Sequence, residues 1–119
     1  MRGRFLKYSL LVLISLILCA CVTSLKDRAY FDQGKRYFEK GYYRHALNTL
    51  LPVACDGNAE AQYAVGYLYY YGYGVAQDTD VGYFWIRRSA SQGYPLAIEA
   101  MRLIEKNNRT KSSYHEINI

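Results

Sequence analysis

Hydrophobic residues follow two different patterns along this chain of 119 residues. Residues 8–25 carry no charge, and the densest apolar stretch, residues 10–20, is interrupted only by Ser15. From about residue 27 onward, apolar residues instead recur every three or four positions, which is the spacing of one helical face. The pattern therefore predicts an apolar leader followed by a body of amphipathic helices.

The leader, residues 1–20, has the features of an export signal. Three basic residues, Arg2, Arg4 and Lys7, precede an apolar core that is shorter than the ~20 residues of a bilayer span. The alternative is that the uncharged residues 8–25 stay in place as a membrane anchor, because a stretch of that length could just span a thinned bilayer.

The leader ends in a short motif around a cysteine. Leu18 stands three residues before Cys21, and the small residues Cys19 and Ala20 lie between them. This motif resembles the processing site of bacterial lipoproteins, which implies cleavage after Ala20 and a lipid on the thiol of Cys21. Val22 follows, where an aspartate would retain a lipoprotein at the inner membrane. The resemblance therefore implies a lipid-anchored protein of the bacterial cell envelope and favours the outer membrane, facing the periplasm, with the inner membrane as the alternative.

Residues 58–93 predict two helices joined by a turn. Gly72 and Gly74 supply the left-handed backbone conformations that end a helix, and Asp78 and Asp80 are candidates to cap the next one. The first helix places its apolar side chains on one face: Ala61, Val65, Leu68 and Tyr69.

This segment resembles a Sel1-like repeat, a relative of the tetratricopeptide repeat. Two departures from the family pattern occur: Val81 and Gly82 stand where lysine and alanine are usual, and Ser89 replaces an alanine. We expect Gly82 to weaken the second helix by up to ~1 kcal/mol relative to alanine. The residues that carry the resemblance are Ala61, Gln62, Val65, Gly66, Tyr69, Gly72, Tyr73, Gly74, Val75, Asp78, Trp85, Arg88, Ala90, Gln92 and Gly93.

Weaker versions of the same pattern flank this segment. Residues 27–57 predict an ordinary tetratricopeptide-like hairpin, and residues 94–107 predict a single capping helix. Residues 108–119 are polar and lack periodicity, so we expect a flexible tail. The resemblance thus implies an all-α fold, a short right-handed α-solenoid of two helix hairpins plus one capping helix, preceded by a hydrophobic signal helix and a linker of residues 21–26.

Charge and cysteine content narrow the classes of protein. The formal charge is +5, but without the three basic residues of the leader, 12 of 15 basic residues remain against 10 acidic ones. A nearly neutral body argues against a nucleic-acid-binding protein. Cys55 is the one cysteine behind Cys21 and lies in an apolar helical stretch, so we expect it to be buried as a small hydrophobic residue.

Catalytic chemistry has little support in the sequence. His45 is expected to point to solvent and His115 lies in the tail, so no Cys/His pair has the spacing of metal ligands. Asp78 and Asp80 are explained as capping residues, and the glycosylation sequon at Asn108 is attributed to chance. The sequence predicts no enzyme, no metal and no cofactor.

Aromatic residues are the strongest indication of a binding surface. Of 14 tyrosines, only Tyr8 belongs to the leader. In a repeat solenoid the first helix of each unit faces the concave side, and the non-core aromatic residues of these helices are spaced to form one stripe. Rings of this kind dominate protein-binding hot spots, although packing within the core would explain several of them equally well. The predicted protein-binding residues are Phe31, Lys35, Phe38, Tyr63, Tyr67, Tyr70, Tyr71 and Tyr73.

Two functional hypotheses follow. The first is a lipid-anchored envelope protein whose repeats act as a scaffold or adaptor for an unidentified protein or peptide partner. The second is a structural or pilotin-like assembly subunit of a secretion, pilus or polysaccharide-export complex, because the last helix lacks a partner helix that would cover its outer face. A cell-wall-related binding or enzymatic activity is the weakest hypothesis, because the related proteins are rich in paired cysteines that this chain lacks.

Overall fold

Helices account for all regular secondary structure in the part of the chain that the computed structural model describes. It describes the backbone of residues 2–117 and the side chains of residues 3–18 and 25–111. The all-α prediction is confirmed within these limits. The helices are α1 (Arg2–Glu39), α2 (Tyr43–Cys55), α3 (Ala59–Tyr71), α4 (Thr79–Ser91) and α5 (Pro95–Ile117).

Helix α1 joins the predicted leader, the linker of residues 21–26 and the first helix of the first hairpin into one element. The side chains of residues 3–18 are exposed. As far as the described residues extend, none of the helices combines the length and hydropathy that crossing a membrane requires. The predicted cleavage and lipidation site, Ala20 and Cys21, lies outside the residues whose side chains are described.

The helices from the second half of α1 onward pack as a solenoid. Each helix makes its main contacts with the helix before it and the helix after it in the chain, as the stacking of repeats requires. The turn of the first hairpin spans only residues 40–42, whereas residues 72–78 join α3 to α4, so the first hairpin has the shorter turn. The buried core is Ala46, Leu47, Leu50, Val53, Ala54, Ala61, Val65, Leu68, Trp85, Ile86 and Ala97.

Local caps end and begin the central helices. The Asn58 side chain accepts a hydrogen bond from the Ala61 amide at 2.8 Å, and the Asp78 carboxylate accepts from the amides of Asp80 and Val81. Asp78 is therefore the cap of α4, and Asp80 lies in its first turn. Gly72 has φ 72°, which confirms the left-handed conformation expected at the end of α3.

Two sequence predictions are wrong, one about the burial of Cys55 and one about the C-terminal tail. Cys55 is exposed, because the buried face of α2 contains Val53 and Ala54, and Cys55 falls on the opposite face with Pro52. Residues 108–117 of the predicted tail are also helical, since α5 continues to Ile117. Neither glycine nor proline interrupts the sequence after Pro95, so nothing in the backbone ends the helix at residue 107.

Two glycines set the distance between α3 and α4. A Cβ at Gly82 would lie 2.7 Å from the backbone nitrogen of Tyr70 and 2.8 Å from its Cα. A Cβ at Gly66 would lie 2.9 Å from the carbonyl oxygen of Gly82 and 2.9 Å from the Ile86 nitrogen. The backbones of α3 and α4 therefore touch at this crossing. Helix propensity alone disfavours Gly82, but the packing of the two helices requires it.

We expect the substitution Gly82→Ala to destabilise the protein by about 1–3 kcal/mol, although alanine is the better helix former. The added methyl group meets the backbone of Tyr70, which cannot move aside as a side-chain end could. Urea denaturation followed by circular dichroism measures the change. Arg87→Ala is the control, because Arg87 lies on the same helix and is exposed. Equal or greater stability of Gly82→Ala would show that α3 and α4 can separate without cost.

Two buried polar side chains tie the repeats together. The Ser89 hydroxyl donates to the Ala59 carbonyl at 2.6 Å, which joins the end of α4 to the start of α3. Gln62 is fully buried, donates to the Ala54 carbonyl at 3.0 Å and accepts from the Gln92 amide at 2.7 Å. No buried side-chain polar atom among the described residues lacks a hydrogen-bond partner. The serine that departs from the family pattern is thus part of the structure's hydrogen bonding.

Candidate protein-binding face

Helices α1, α3 and α5 line two adjoining grooves on one side of the solenoid. The α1–α3 groove, of ≈ 310 Å³, lies between Phe31, Lys35 and Phe38 of α1 and Tyr63 of α3. The α3–α5 groove, of ≈ 520 Å³, lies between the tyrosines of α3 and Leu103 on α5. Tyr63 and Leu96 line both grooves. The residues common to the two grooves join them into one surface, which we call the aromatic face.

Seven of the eight predicted binding residues lie on the aromatic face, and Tyr73 adjoins it. Three of them, on α1, line the first groove, and Tyr63, Tyr67, Tyr70 and Tyr71 line the second. Tyr73 lies in the turn after α3 and contacts the rings of Tyr67 and Tyr71, each at 5.9 Å between centroids. The predicted stripe is therefore a contiguous surface in space, as the helical spacing indicated.

The rings of this face form an unbroken chain of contacts. Phe38 meets Tyr67 edge-on at 5.8 Å, and Tyr67 meets Tyr71 at 4.6 Å. Tyr63 connects Tyr67 to Tyr94, at 6.4 Å and 5.5 Å. Separations in this range are those of favourable aromatic pairs, each worth about 0.5–1.5 kcal/mol beyond its buried area. The contacts thus favour this arrangement of the rings in the folded protein.

Three rings at one end of the face lie nearly parallel. Tyr43 stacks on Tyr73 at 5.0 Å with 20° between the ring planes, and Tyr73 stacks on Tyr71 at 5.9 Å with 23°. A close backbone contact supports this stack, because a Cβ on Gly74 would collide with the backbone of Tyr43 and Arg44. Gly74 has φ 70°, so both its backbone conformation and the lack of space favour glycine there.

The rings divide into packing and exposed residues. Phe31 and Phe38 pack partly against the core, as the alternative explanation of the aromatic residues requires. Tyr71 is 52% exposed and Tyr73 is 40% exposed, far more than core packing needs. Exposed rings supported by other rings are the arrangement of a preformed contact surface.

Sequence reasoning missed part of the aromatic face. Tyr43 and Tyr94 were not among the predicted binding residues, although their rings contact this face. Helix α5 also contributes: Ala97 is buried, whereas Leu96 and Leu103 line the α3–α5 groove. The spacing of seven residues between Leu96 and Leu103 was the available signal, since it repeats one helical face.

The charged residues of the face are mostly acidic. The Lys35 ammonium lies 3.4 Å from a Glu60 carboxylate oxygen and bridges α1 to α3 across the first groove. Glu39 also lines that groove, and Glu99 lines the second. Glu99 accepts two hydrogen bonds from Arg102, and these hydrogen bonds hold its pKa below the ordinary value. The grooves thus carry three carboxylates and one ammonium.

Burial raises the pKa of three tyrosines of the face. For Tyr63 and Tyr67, burial is the main cause and neighbouring tyrosine hydroxyls add to it. For Tyr94, burial again comes first, Glu60 adds to it and Lys35 opposes it. The folded protein therefore retains these phenol protons at a pH where an exposed tyrosine, with a pKa of 10.0, has lost half of its protons.

We expect the free energy of unfolding to fall as the pH rises above 10.0, the ordinary pKa of tyrosine. Below that pH the folded and the unfolded protein both hold the tyrosine protons, and the contribution of these tyrosines to stability is fully present. Above it the unfolded chain ionises first, so the contribution is lost as the pH rises through the folded pKa. Urea denaturation over an alkaline pH series measures the slope. The triple variant with phenylalanine at 63, 67 and 94 should have a shallower slope, and an unchanged slope would contradict the assignment.

Comparisons with known proteins agree with this geometry. Residues 59–94 match the Sel1 repeat family model. The chain is 42% identical over 62 residues to chitin synthase regulatory factor 3 of Schizosaccharomyces pombe, a match that covers 50% of this chain and 7% of that protein. The crystal structure of a Sel1 repeat protein from Oxalobacter formigenes is similar with a TM-score of 0.61 and 28% identity, over 66% of this chain and 24% of the other.

The chain spans only a small part of the length of each relative. The shared segment nevertheless includes both helices of the central hairpin, α3 and α4. The glycine turn, the cap at Asp78 and the close crossing at Gly66 all lie within it. Residues 59–94 therefore match a Sel1 repeat, and the described part of the chain has a tetratricopeptide-related helical fold.

Proposed function

We propose that this protein is a lipid-anchored adaptor of the bacterial cell envelope, which binds a segment of a partner protein on its aromatic face. Sel1 repeats are protein-interaction scaffolds and are generally not enzymes. The observation that carries the proposal is the continuous chain of ring contacts along the two grooves, with Tyr71 and Tyr73 left exposed at one end. The similar fungal protein is named a regulatory factor, which agrees with a role exerted through other proteins.

The shape of the grooves suits a peptide segment better than a flat protein surface. Their volumes, ≈ 310 and ≈ 520 Å³, are in the range of sites that enclose a few side chains. Because both grooves open along α3, one segment can place side chains in each. Repeat solenoids commonly bind their partners on such concave surfaces.

The alternative, an assembly subunit that docks through the outer face of α5, has weaker support. That argument required an unpartnered apolar surface on the last helix. The exposed residues there include Arg102, Glu105 and Lys106, with Ile98 as the exposed aliphatic residue among them. Leu96, Leu103 and Ile104 of α5 instead line the α3–α5 groove.

Site-specific photo-crosslinking in the full-length protein tests the proposal. A photoreactive phenylalanine at position 71 should capture a defined partner from cell-envelope membranes. The same group at position 84 is the matched control, because Phe84 is 53% exposed but lines neither groove. Equal capture at both positions, or none at position 71, would show that the aromatic face is not the binding surface. Capture of a large complex would instead support the assembly subunit.

The anchor is tested separately by the substitution Cys21→Ser. We expect the variant to lose its lipid and its membrane association while the solenoid still folds. A soluble Cys21→Ser protein supports the lipoprotein, and a variant that stays in the membrane fraction supports residues 8–25 as a permanent anchor. The measurement is the distribution of the protein between membrane and soluble fractions.

A further inference from the structure

We propose that the aromatic face selects a segment in which arginine side chains alternate with apolar ones. This inference rests on the proposed function and specifies the chemistry of the partner. Three features of the face lead to it: the excess of carboxylates, the nearly parallel ring stack and the two apolar grooves.

The first feature is charge. The two grooves are lined by Glu39, Glu60 and Glu99, against Lys35 as the one lining cation. Lys35 and Glu60 compensate each other at 3.4 Å. Glu99 is paired with Arg102 on the exposed surface of α5, where such a pair contributes little and can exchange its partner. Glu39 is the groove-lining carboxylate outside these two ion pairs, and its negative charge favours a cationic segment and disfavours an acidic one.

The second feature is the stack of Tyr43, Tyr73 and Tyr71. A planar guanidinium can lie parallel to a ring and interacts with its negative face, which a compact ammonium ion does less well. Tyr71 is at one end of the stack and is 52% exposed, so about half of its surface is accessible to a ligand there. Tyr71 also lines the groove that contains Glu99, so ring and carboxylate belong to the same site.

The third feature explains why apolar side chains accompany the arginine. Leu96, Leu103 and Ile104 line the α3–α5 groove, and Leu96 also lines the other groove beside Phe31. Leu96 and Leu103 are 55% and 52% exposed, so much of their surface can be covered by a ligand. A segment with apolar side chains next to arginine would fill both grooves and bring its charge to the rim.

The experiment uses the full-length protein in detergent micelles and four fluorescent synthetic peptides of leucine and tryptophan. The peptides differ at their polar positions, which hold arginine, lysine, glutamine or glutamate. Fluorescence anisotropy gives each affinity. We expect the arginine peptide to bind most tightly, the lysine peptide several-fold more weakly and the glutamate peptide most weakly. Increasing salt should weaken the arginine peptide more than the glutamine peptide.

Variants of one ion pair give the sharpest test, because its two charges act in opposite directions. Lys35→Ala leaves Glu60 uncompensated and should tighten the arginine peptide by about two- to fivefold. Glu60→Gln leaves Lys35 uncompensated and should weaken it by a similar factor. Glu105→Gln is the control, because Glu105 is exposed and lines neither groove. Denaturation midpoints of all three variants show whether the fold is retained.

Several outcomes would overturn the inference. Tighter binding of the glutamate peptide, weakened by Lys35→Ala, would show that Lys35 recognises an acidic partner. Equal binding of the arginine and glutamine peptides would show that the grooves recognise only the apolar side chains. If the arginine peptide does not bind while photo-crosslinking at position 71 captures a partner, the inference is wrong and the proposed function stands. If crosslinking fails as well, both are wrong.

Discussion

Replacing Leu50 by alanine should destabilise the protein by about 2–5 kcal/mol, because the substitution leaves a cavity in the core that neighbouring side chains cannot fill. Leu50 is 1% exposed and lies in the core between α1 and α2. Because small domains are stable by only about 5–15 kcal/mol, this loss is a large part of the total. Urea denaturation of the full-length protein measures it. Leu103→Ala is the matched control, because Leu103 is 52% exposed and should lose little stability.

A second substitution, at Gly34, tests whether the loss of stability in Leu50→Ala arises from the contact between α1 and α2. A Cβ at Gly34 would lie 2.5 Å from Cγ and Cδ2 of Leu50. We therefore expect Gly34→Ala alone to cost about 1–3 kcal/mol, because the added methyl group displaces the Leu50 side chain from its packed position. In the Leu50→Ala background the same change should cost nothing, since the new methyl group enters the cavity. Additive costs would mean that the two residues are not in contact.

Replacing Gln62 by alanine should cost about 2–4 kcal/mol, since the change leaves a cavity and removes two buried hydrogen bonds. Gln62 links the end of α2, at Ala54, to Gln92, the residue that caps α4. Its loss therefore loosens both hairpins at once. Gln77→Ala is the matched control, because Gln77 also bonds a backbone carbonyl but is exposed. Equal losses for Gln62→Ala and Gln77→Ala would contradict a special role for Gln62.

The substitution Gln62→Glu adds a test with a defined sign. A carboxylate cannot donate to the Ala54 carbonyl, but a protonated carboxyl group can. Burial disfavours the charged form, so the folded pKa of this glutamate should exceed its unfolded pKa of about 4.3. Stability of the variant is then highest below that pH and is lost as the pH rises through the folded pKa. A variant that is equally stable at acid and neutral pH would show that water reaches this site.

The central hairpin was the easiest part of the molecule to predict from the sequence. Its helices, its glycine turn and the cap at Asp78 depend on residues within a few positions of one another. Local periodicity and capping chemistry therefore suffice to place them. The prediction of a flexible tail after residue 107 was wrong, because it relied on the absence of periodicity. Polar residues without periodicity do not prevent a helix when glycine and proline are absent.

The aromatic stripe could be predicted only in part. The spacing of Tyr63, Tyr67 and Tyr70 on one helix placed these rings on one face, and the structure agrees. Tyr43 and Tyr94 were not predicted as part of this face, because they precede or begin other helices and their positions depend on how the helices pack. Tyr94 reaches Tyr63 at 5.5 Å across 31 residues of sequence, which no local rule indicates.

The sequence by itself determined the helices of the two hairpins, the position of the turn within the Sel1 repeat, and which residues of α1 and α3 could form a stripe. These properties follow from the 3.6-residue period, from helix caps and from the conformational freedom of glycine, all of which act locally. Only the tertiary structure decided that Gly82 is needed where the backbones of α3 and α4 touch, that Cys55 is exposed, and that α5 completes a second groove. Those outcomes depend on distances of a few ångströms between residues that are remote in sequence, and these distances are set only when all the helices pack together.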